Sequence, residues 1–206
     1  MLHLETIEPA TLELLKQLQS LPELSEMRLV GGTSLALQLG HRISVDLDLF
    51  GRLNCGTDVL LSRLSKLGAT TLIHETQNIH IFIINGVKVD IVNFELPWRS
   101  PAVIEDGIRL AHLEDIAAMK ITAAVGRGTK KDFIDICYLL QSTFTMSEML
   151  TYYLEKYPNA SKFMAFKSLS YFEDAENDVM PRMLIDLSWD DVKSTILKAL
   201  EQQAEI

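Results

Sequence analysis

Apolar positions change their spacing along the chain, and the changes mark out its elements. In residues 8–20, Leu12, Leu14, Leu15 and Leu18 fall at helical spacing, Pro9 suits a first turn, and Leu21-Pro22 ends the run. Residues 27–30 read as a short buried strand. An apolar run over 35–39, closed by Gly40, reads as a short helix. Residues 44–50 alternate, so a strand is expected with Asp46 and Asp48 on one face and Val45, Leu47 and Leu49 on the other. Val59, Leu60, Leu64 and Leu67 give an amphipathic helix over 58–67, stopped by Gly68. Two strands follow at 70–75 and 79–84. Asn85-Gly86 is a two-residue hairpin turn into a strand over 87–92, with Val87, Val89 and Ile91 on one face and Lys88, Asp90 and Val92 on the other.

The pattern then turns helical. Residues 95–112, with Pro97, Pro101 and Gly107, read as a connector. A helix is expected over 113–125, with Glu114 and Asp115 in its first turn and Gly126 and Gly128 breaking it. A second, over 129–140, carries Phe133, Ile136, Leu139 and Leu140 as its stripe. Helices are also expected at 146–156, 161–170 and 190–201, the last capped by Asp190. The aromatic and acidic stretch 171–176 is read as packing. The expected class is therefore α/β (α+β): a small mixed sheet with flanking helices over 1–110, then a helical bundle over 111–206 that completes a cleft.

Composition narrows the function. With 206 residues and 48% hydrophobic content the chain can build a real core. A net charge of −9 excludes a general nucleic-acid-coating protein, although Arg127, Lys130 and Lys131 form one dense basic cluster. Cys55 and Cys137 match no zinc spacing and read as free thiols of a reducing cytosol. The first residues lack a basic and then apolar leader, and no apolar run reaches membrane-spanning length, so a cytoplasmic protein without a membrane segment is expected.

The candidate chemistry lies in residues 31–50. Asp46 and Asp48, side by side on a strand, repel each other unless a cation sits between them. A hard divalent ion such as magnesium takes oxygen ligands at roughly 2.0–2.1 Å and leaves positions for phosphate. Just upstream, Gly31-Gly32 allows close backbone approach, and Thr33 or Ser34 can cap the helix that follows, giving an anion-attracting N-terminus. Asp90 lies in a strand that otherwise prefers burial. It is either an edge-strand aspartate in water or the third carboxylate of a two-metal site, with ions roughly 3.5–4 Å apart. Lys120, among Ala117, Ala118, Ile121 and Ala124, either snorkels to water or meets an anion. Asp132 and Asp135 share a helix face and, read with the basic cluster, can also be a solvated face of salt bridges.

The stretch GGTSLALQLGHRISVDLDLF resembles the opening motif of the AbiEii-type nucleotidyltransferases, relatives of the MenT toxins in the polymerase-beta-like superfamily. Gly31, Gly32, Thr33, Arg42, Ser44, Asp46, Asp48 and Phe50 fill the pattern, and Lys120, Arg127, Lys131, Asp132 and Asp135 resemble its later one. The resemblance implies that Asp46 and Asp48 bind Mg2+ or Mn2+, and that Gly31, Gly32, Thr33 and Ser34, with Arg42, hold the triphosphate of an NTP. It implies that Lys120 and Asp132 contact the nucleotide, and that Asp90 is a base or a further metal ligand. The implied reaction moves a nucleoside monophosphate to a hydroxyl acceptor, either RNA such as tRNA, a protein or a small molecule. The implied partner is the antitoxin of a type IV toxin–antitoxin pair. The alternative is an inactive nucleotide-binding or interaction module of the same fold.

Overall fold

A computed structural model describes residues 1–204. Backbone contacts divide the chain into two units. The first holds Met1–Leu96 and Pro101–Ala111. The second holds Pro97–Ser100 and the chain from His112 onward.

The first unit is built on a seven-stranded sheet. Its elements, in chain order, are α1 (Pro9–Ser20), β1 (Arg28–Val30), α2 (Gly31–Leu39), β2 (Leu47–Gly51), α3 (Thr57–Leu64), β3 (Thr70–Glu75), β4 (Ile79–Ile84), β5 (Val87–Asn93), β6 (Val103–Glu105) and β7 (Ile108–Leu110). The strand order is β3-β4-β5-β2-β1-β7-β6. β2 runs parallel to β5, and β1 parallel to β7; every other pairing is antiparallel. The sheet is thus mixed, as the alternation of hairpins and longer crossovers requires.

One sheet face is the core. Leu29, Leu47, Leu49, Phe82, Ile84, Val89 and Ile91 are buried there with Leu15 and Leu18 of α1 and Leu60 and Leu64 of α3. Each fully buried leucine of this kind contributes on the order of 2 kcal/mol. β4 and β5 meet at Asn85-Gly86, both in the left-handed region with φ of 51° and 85°, the geometry a two-residue hairpin needs.

Residues 95–112 are more than a connector. They contain the β6–β7 hairpin, turned at Asp106-Gly107 with φ of 51° and 76°. β7 then pairs with β1 through Leu29 and Leu110. Arg109 secures it: its guanidinium donates to the carbonyls of Gln19, Leu24 and Met27 at 2.8, 3.1 and 3.2 Å.

The second unit contains α4 (Leu113–Gly126), α5 (Lys130–Ser142), α6 (Met146–Lys156), α7 (Lys162–Leu169), the single turn α8 (Glu173–Glu176) and α9 (Trp189–Ala204). α4 packs on α5, α6 and α7, and α5 on α9. Ile116, Ile121, Phe133, Ile136, Leu139, Leu150 and Ile196 are buried at these contacts. Gly128, with φ of 53°, lets the chain leave α4, and Thr129 begins α5. Thr145 and Glu148 form a capping box on α6. Ser188, not Asp190, caps α9: its hydroxyl accepts from the Asp191 amide, and the Asp191 carboxylate accepts from the Ser188 amide, both at 3.1 Å. Phe133, Phe172 and Trp189 stack edge to face or tilted with centroids 5.0–6.0 Å apart, which anchors the 171–176 stretch. Among the described residues no helix is long and apolar enough to cross a membrane.

Candidate active site

The glycine pair is explained by what lies against it. β1 passes straight into α2 at Gly31, where φ is 68°. A Cβ there would stand 2.2 Å from Asp48 Oδ2, so the Asp48 carboxylate rests over the Gly31 backbone. A Cβ on Gly32 would stand 2.2 Å from Arg42 Nη2 and 3.3 Å from Ser44 Oγ. Any side chain at either position would displace a charged group of the motif.

Thr33 and Ser34 are not caps, contrary to the sequence expectation. Val30 is the N-cap residue, and both hydroxyl residues lie buried in the first turn. Thr33 donates to the main-chain carbonyl of Asp46, and its oxygen lies 2.9 Å from Ser44 Oγ. Ser34 Oγ accepts from Gln38 at 3.2 Å. The first turn thus tethers the segment that carries Asp46. Arg42 is 3% exposed and donates to the Ile43 carbonyl at 3.1 Å. It sits against the glycine turn as a support and offers almost no surface to a ligand.

Alternation begins only at Leu47. Residues 43–46 are irregular, and Val45 is 52% exposed rather than on the dry face. Asp46 is partly buried just ahead of β2, and Asp48 lies within it. In the parallel register of β2 and β5, Asp48 is paired with Asp90, so the two carboxylates leave the same sheet face from adjacent strands. Arg28, Val30, Phe50, Lys88 and Val92 share that face by register. β5 is an interior strand, which removes the edge-strand reading of Asp90.

Asp90 is held unevenly. Its Oδ2 accepts from Lys88 Nζ at 2.6 Å, whereas its Oδ1 is sealed from solvent with no hydrogen-bond partner. A desolvated carboxylate oxygen without a donor is costly. Among the described residues no three His, Cys, Asp or Glu side chains already converge as a metal centre. Asp46, Asp48 and Asp90 are therefore close in the fold without being a finished cluster. Their chemistry fits a hard cation: all-oxygen donors, two of them on neighbouring strands, one with an oxygen that lacks any partner.

In the second unit, Lys120 does meet anions. Its ammonium lies 2.6 Å from Asp135 and 3.2 Å from Asp132. Asp132 also accepts from Arg127 Nε at 2.9 Å and from the Thr129 hydroxyl at 2.7 Å. Both aspartates are fully buried, so they are not a solvated face. Burial alone would raise the Asp132 carboxyl. Lys120, with the bonds from Arg127 and Thr129, overcomes it and holds the group below its ordinary value. Lys120, 5% exposed, and Asp132 are thus committed to each other. The basic cluster is also broken up. Lys130 is buried and donates to the carbonyls of Glu176 and Asp178 at 2.9 and 2.6 Å. Lys131 is exposed, and the Arg127 side chain is 66% exposed.

Two features escaped the sequence reading. The strand spacing puts Lys88 on the Asp90 face without announcing the ion pair that joins them. A second buried pair, Lys156 with Asp115 at 2.6 Å, had no local signal because its partners are 41 residues apart. Cys55 and Cys137 are free thiols, and burial pushes Cys137 up to about 11.

Comparison with known proteins follows the same outline. Residues 13–204 match the family model described as nucleotidyl transferase AbiEii toxin, type IV toxin–antitoxin system. An uncharacterized Aquifex aeolicus protein, aq_aa25, is 31% identical over 198 residues, covering 94% of this chain and 95% of that protein. Among solved structures, a candidate nucleotidyltransferase from H. pylori superposes with a TM-score of 0.64 at 18% identity, covering 95% of this chain and 94% of that one. The nucleotidyltransferase toxin MenT4 of Mycobacterium tuberculosis gives 0.63 at 12% identity, covering 96% and 83%. The structures share the fold, and the family model spans the motif, the sheet and the helices that follow. The chain belongs to the AbiEii nucleotidyltransferase toxin family.

Proposed function

We propose that this protein transfers a nucleoside monophosphate from an NTP to a hydroxyl acceptor, with Asp46, Asp48 and Asp90 as its metal-binding carboxylates. The observation that carries this reading is the Asp48 carboxylate, lying over Gly31 and in register with an Asp90 whose Oδ1 has no partner. A divalent cation, magnesium or manganese, held by these carboxylates would neutralise the triphosphate and the departing pyrophosphate. The start of α2 at Gly31-Gly32 attracts phosphate oxygens through its helix dipole. Arg42 and Thr33 keep that turn and the Asp46 segment in place. The acceptor hydroxyl attacks the α-phosphorus, the bond to the β-phosphate breaks, and the hydroxyl proton leaves to solvent. Little covalent chemistry is asked of the protein beyond positioning and charge.

Lys120 and Asp132 fix α4 and α5 to each other, since each is buried and paired. Family membership supports a toxin that acts in the cytoplasm on the NTP pool and is countered by an antitoxin. The test uses Asp46→Asn and Asp48→Asn with labelled NTPs, Mg2+ or Mn2+, and whole-cell extract. Label transfer should fall about a thousandfold or more in each variant. Undiminished transfer would overturn the assignment, and the class of molecule labelled by the wild type, whether RNA, protein or small molecule, identifies the acceptor.

A further inference from the structure

We propose a second binding site in the sheet unit: the cleft beside the β3–β4 turn takes the ammonium group of a small organic amine, held by Glu75 and His80. It does not rest on the function proposed for Asp46, Asp48 and Asp90.

The cleft holds about 180 Å3 and lies where the start of α3 meets the β3–β4 hairpin and the ends of β2 and β5. That is room for about six waters at roughly 30 Å3 each, or for a short alkyl amine. Glu75 and His80 face each other across the β3–β4 ladder, and Thr57, the first residue of α3, joins them. His80 shares its face with Phe82 and Ile84 of the core, whereas Ile81 between them is the register partner of Asp90. The two sites therefore lie on opposite faces of the sheet.

Proton counting sets the ligand. The Glu75 carboxylate can only accept, so the single proton of Thr57 goes to it. The Thr57 oxygen then accepts from His80 Nε2 at 3.0 Å. The other ring nitrogen, Nδ1, is left as a bare acceptor with no hydrogen-bond partner, in a residue only 4% exposed. The Asn93 side chain is engaged as well: its oxygen accepts from the Leu53 amide at 3.0 Å, and its nitrogen donates to Asn78 at 3.2 Å. Apart from Gln77 and the Cys55 thiol, the side-chain atoms that remain in the lining are acceptors: the exposed Glu75 carboxylate and His80 Nδ1. A ligand must bring donors, and a carboxylate holds donors on a cation more strongly than neutral ones. The first-turn amides of α3 do not turn the cleft toward anions, because Asp58 in that turn and Glu75 already set a negative field. Burial, and then the charge of Glu23, push the Cys55 thiol up, so it stays neutral and lines the cleft with Leu53 as a wall for an alkyl stem.

The probe is n-butylammonium, titrated into the full chain and followed by nitrogen NMR of the backbone amides and imidazole rings. Shifts should cluster at residues 53–57, 75–80 and 93 and saturate with a Kd on the order of 1 mM. His80 Nδ1 should move from the position of a bare nitrogen to that of a hydrogen-bonded one. Butan-1-ol, with the same stem and a donor but no charge, should bind about tenfold or more weakly, and so should n-butylammonium to Glu75→Gln. Glu75 is exposed, so this variant should fold, and the alcohol comparison on the wild type covers the case in which it does not. Asp48→Asn should bind the amine as the wild type does. Absence of saturable shifts at these residues, equal binding of alcohol and ammonium, or undiminished binding to Glu75→Gln would overturn the site. So would a His80 Nδ1 that is already hydrogen-bonded in the free protein and unmoved by the amine, the mark of a resident water. Loss of amine binding in Asp48→Asn would put the cation at the other carboxylates and overturn it too.

Discussion

The helical unit buries three of its aspartates fully and the sheet unit buries Asp48 and Asp90 only in part, and the two provide for them differently. In the helical unit every buried aspartate has its cation: Lys120 between Asp132 and Asp135, Arg127 on Asp132, and Lys156 on Asp115. Asp115 is further served by the Arg99 amide at 3.1 Å, and Lys156 by the Pro97 carbonyl at 3.0 Å and the Trp98 ring. In the sheet unit, Asp90 gives one oxygen to Lys88 and keeps the other without a partner. Satisfied charge specifies a structure; a carboxylate oxygen held by a sheet register without a donor is a demand for a ligand. The same residue type therefore reads as scaffold in one unit and as chemistry in the other.

The comparison breaks most visibly if a scaffold pair is cut. Lys156→Met leaves Asp115 buried without its counter-ion and should cost about 3–5 kcal/mol, read as a lower urea midpoint. Replacing both partners, Lys156→Met with Asp115→Leu, should recover part of that loss, because no lone charge remains.

A smaller effect separates two left-handed glycines. Gly107→Ala meets nothing within 4 Å and should cost only the backbone strain, about 1 kcal/mol, with activity unchanged. Gly31→Ala carries the same strain and also drives a Cβ into Asp48. Its stability loss should be modestly larger, about 2 kcal/mol, and nucleotide transfer should fall along with it. Equal activity in the two variants would show that the place of Asp48 over Gly31 does not matter.

The mildest change sharpens the scaffold side. Asp132 is held below its ordinary value in the folded chain, so its contribution is present above the unfolded carboxylate pKa of about 3.9 and is lost as pH falls through the folded value. Urea midpoints should therefore drop more steeply below pH 4 in the wild type than in Asp132→Asn, which has no such carboxyl to protonate. Parallel pH curves would count against the pairing as a source of stability.

Much of the fold was legible because local signals and tertiary needs agreed. β3 and β4 fall on their expected residues, and Asn85-Gly86 turns as its sequence demands. α6 covers its expected residues, 146–156. The misses have physical causes. β6 and β7 are three residues each, too short to show a period, although Asp106-Gly107 carried a hairpin signal that two nearby prolines obscured. Gly31 and Gly32 fall outside the helix expected over 35–39 because glycine is a poor helix former; glycine stands at the start of α2 because Asp48 and Arg42 fill the space a Cβ would take. For the site, the strand alternation correctly put Asp90 and Lys88 on one face. It gave no hint that Asp132 and Lys120 would be sealed in with each other, since burial is decided by partners distant in the chain.

The parallel join of β7 to β1 also says something about how the molecule comes into being. Arg109 and Gln19 exchange main-chain and side-chain hydrogen bonds although they are 90 residues apart. A ribosome that has delivered β1 through β5 has made the β3-β4-β5 meander and the β1–β2 pair that joins it through β5, yet β1 still lacks its partner on the other side. Loop closure of that span is slow relative to hairpin formation. Until residue 110 emerges, β1 presents an unpaired backbone edge, and the nascent chain is at its most vulnerable to mispairing.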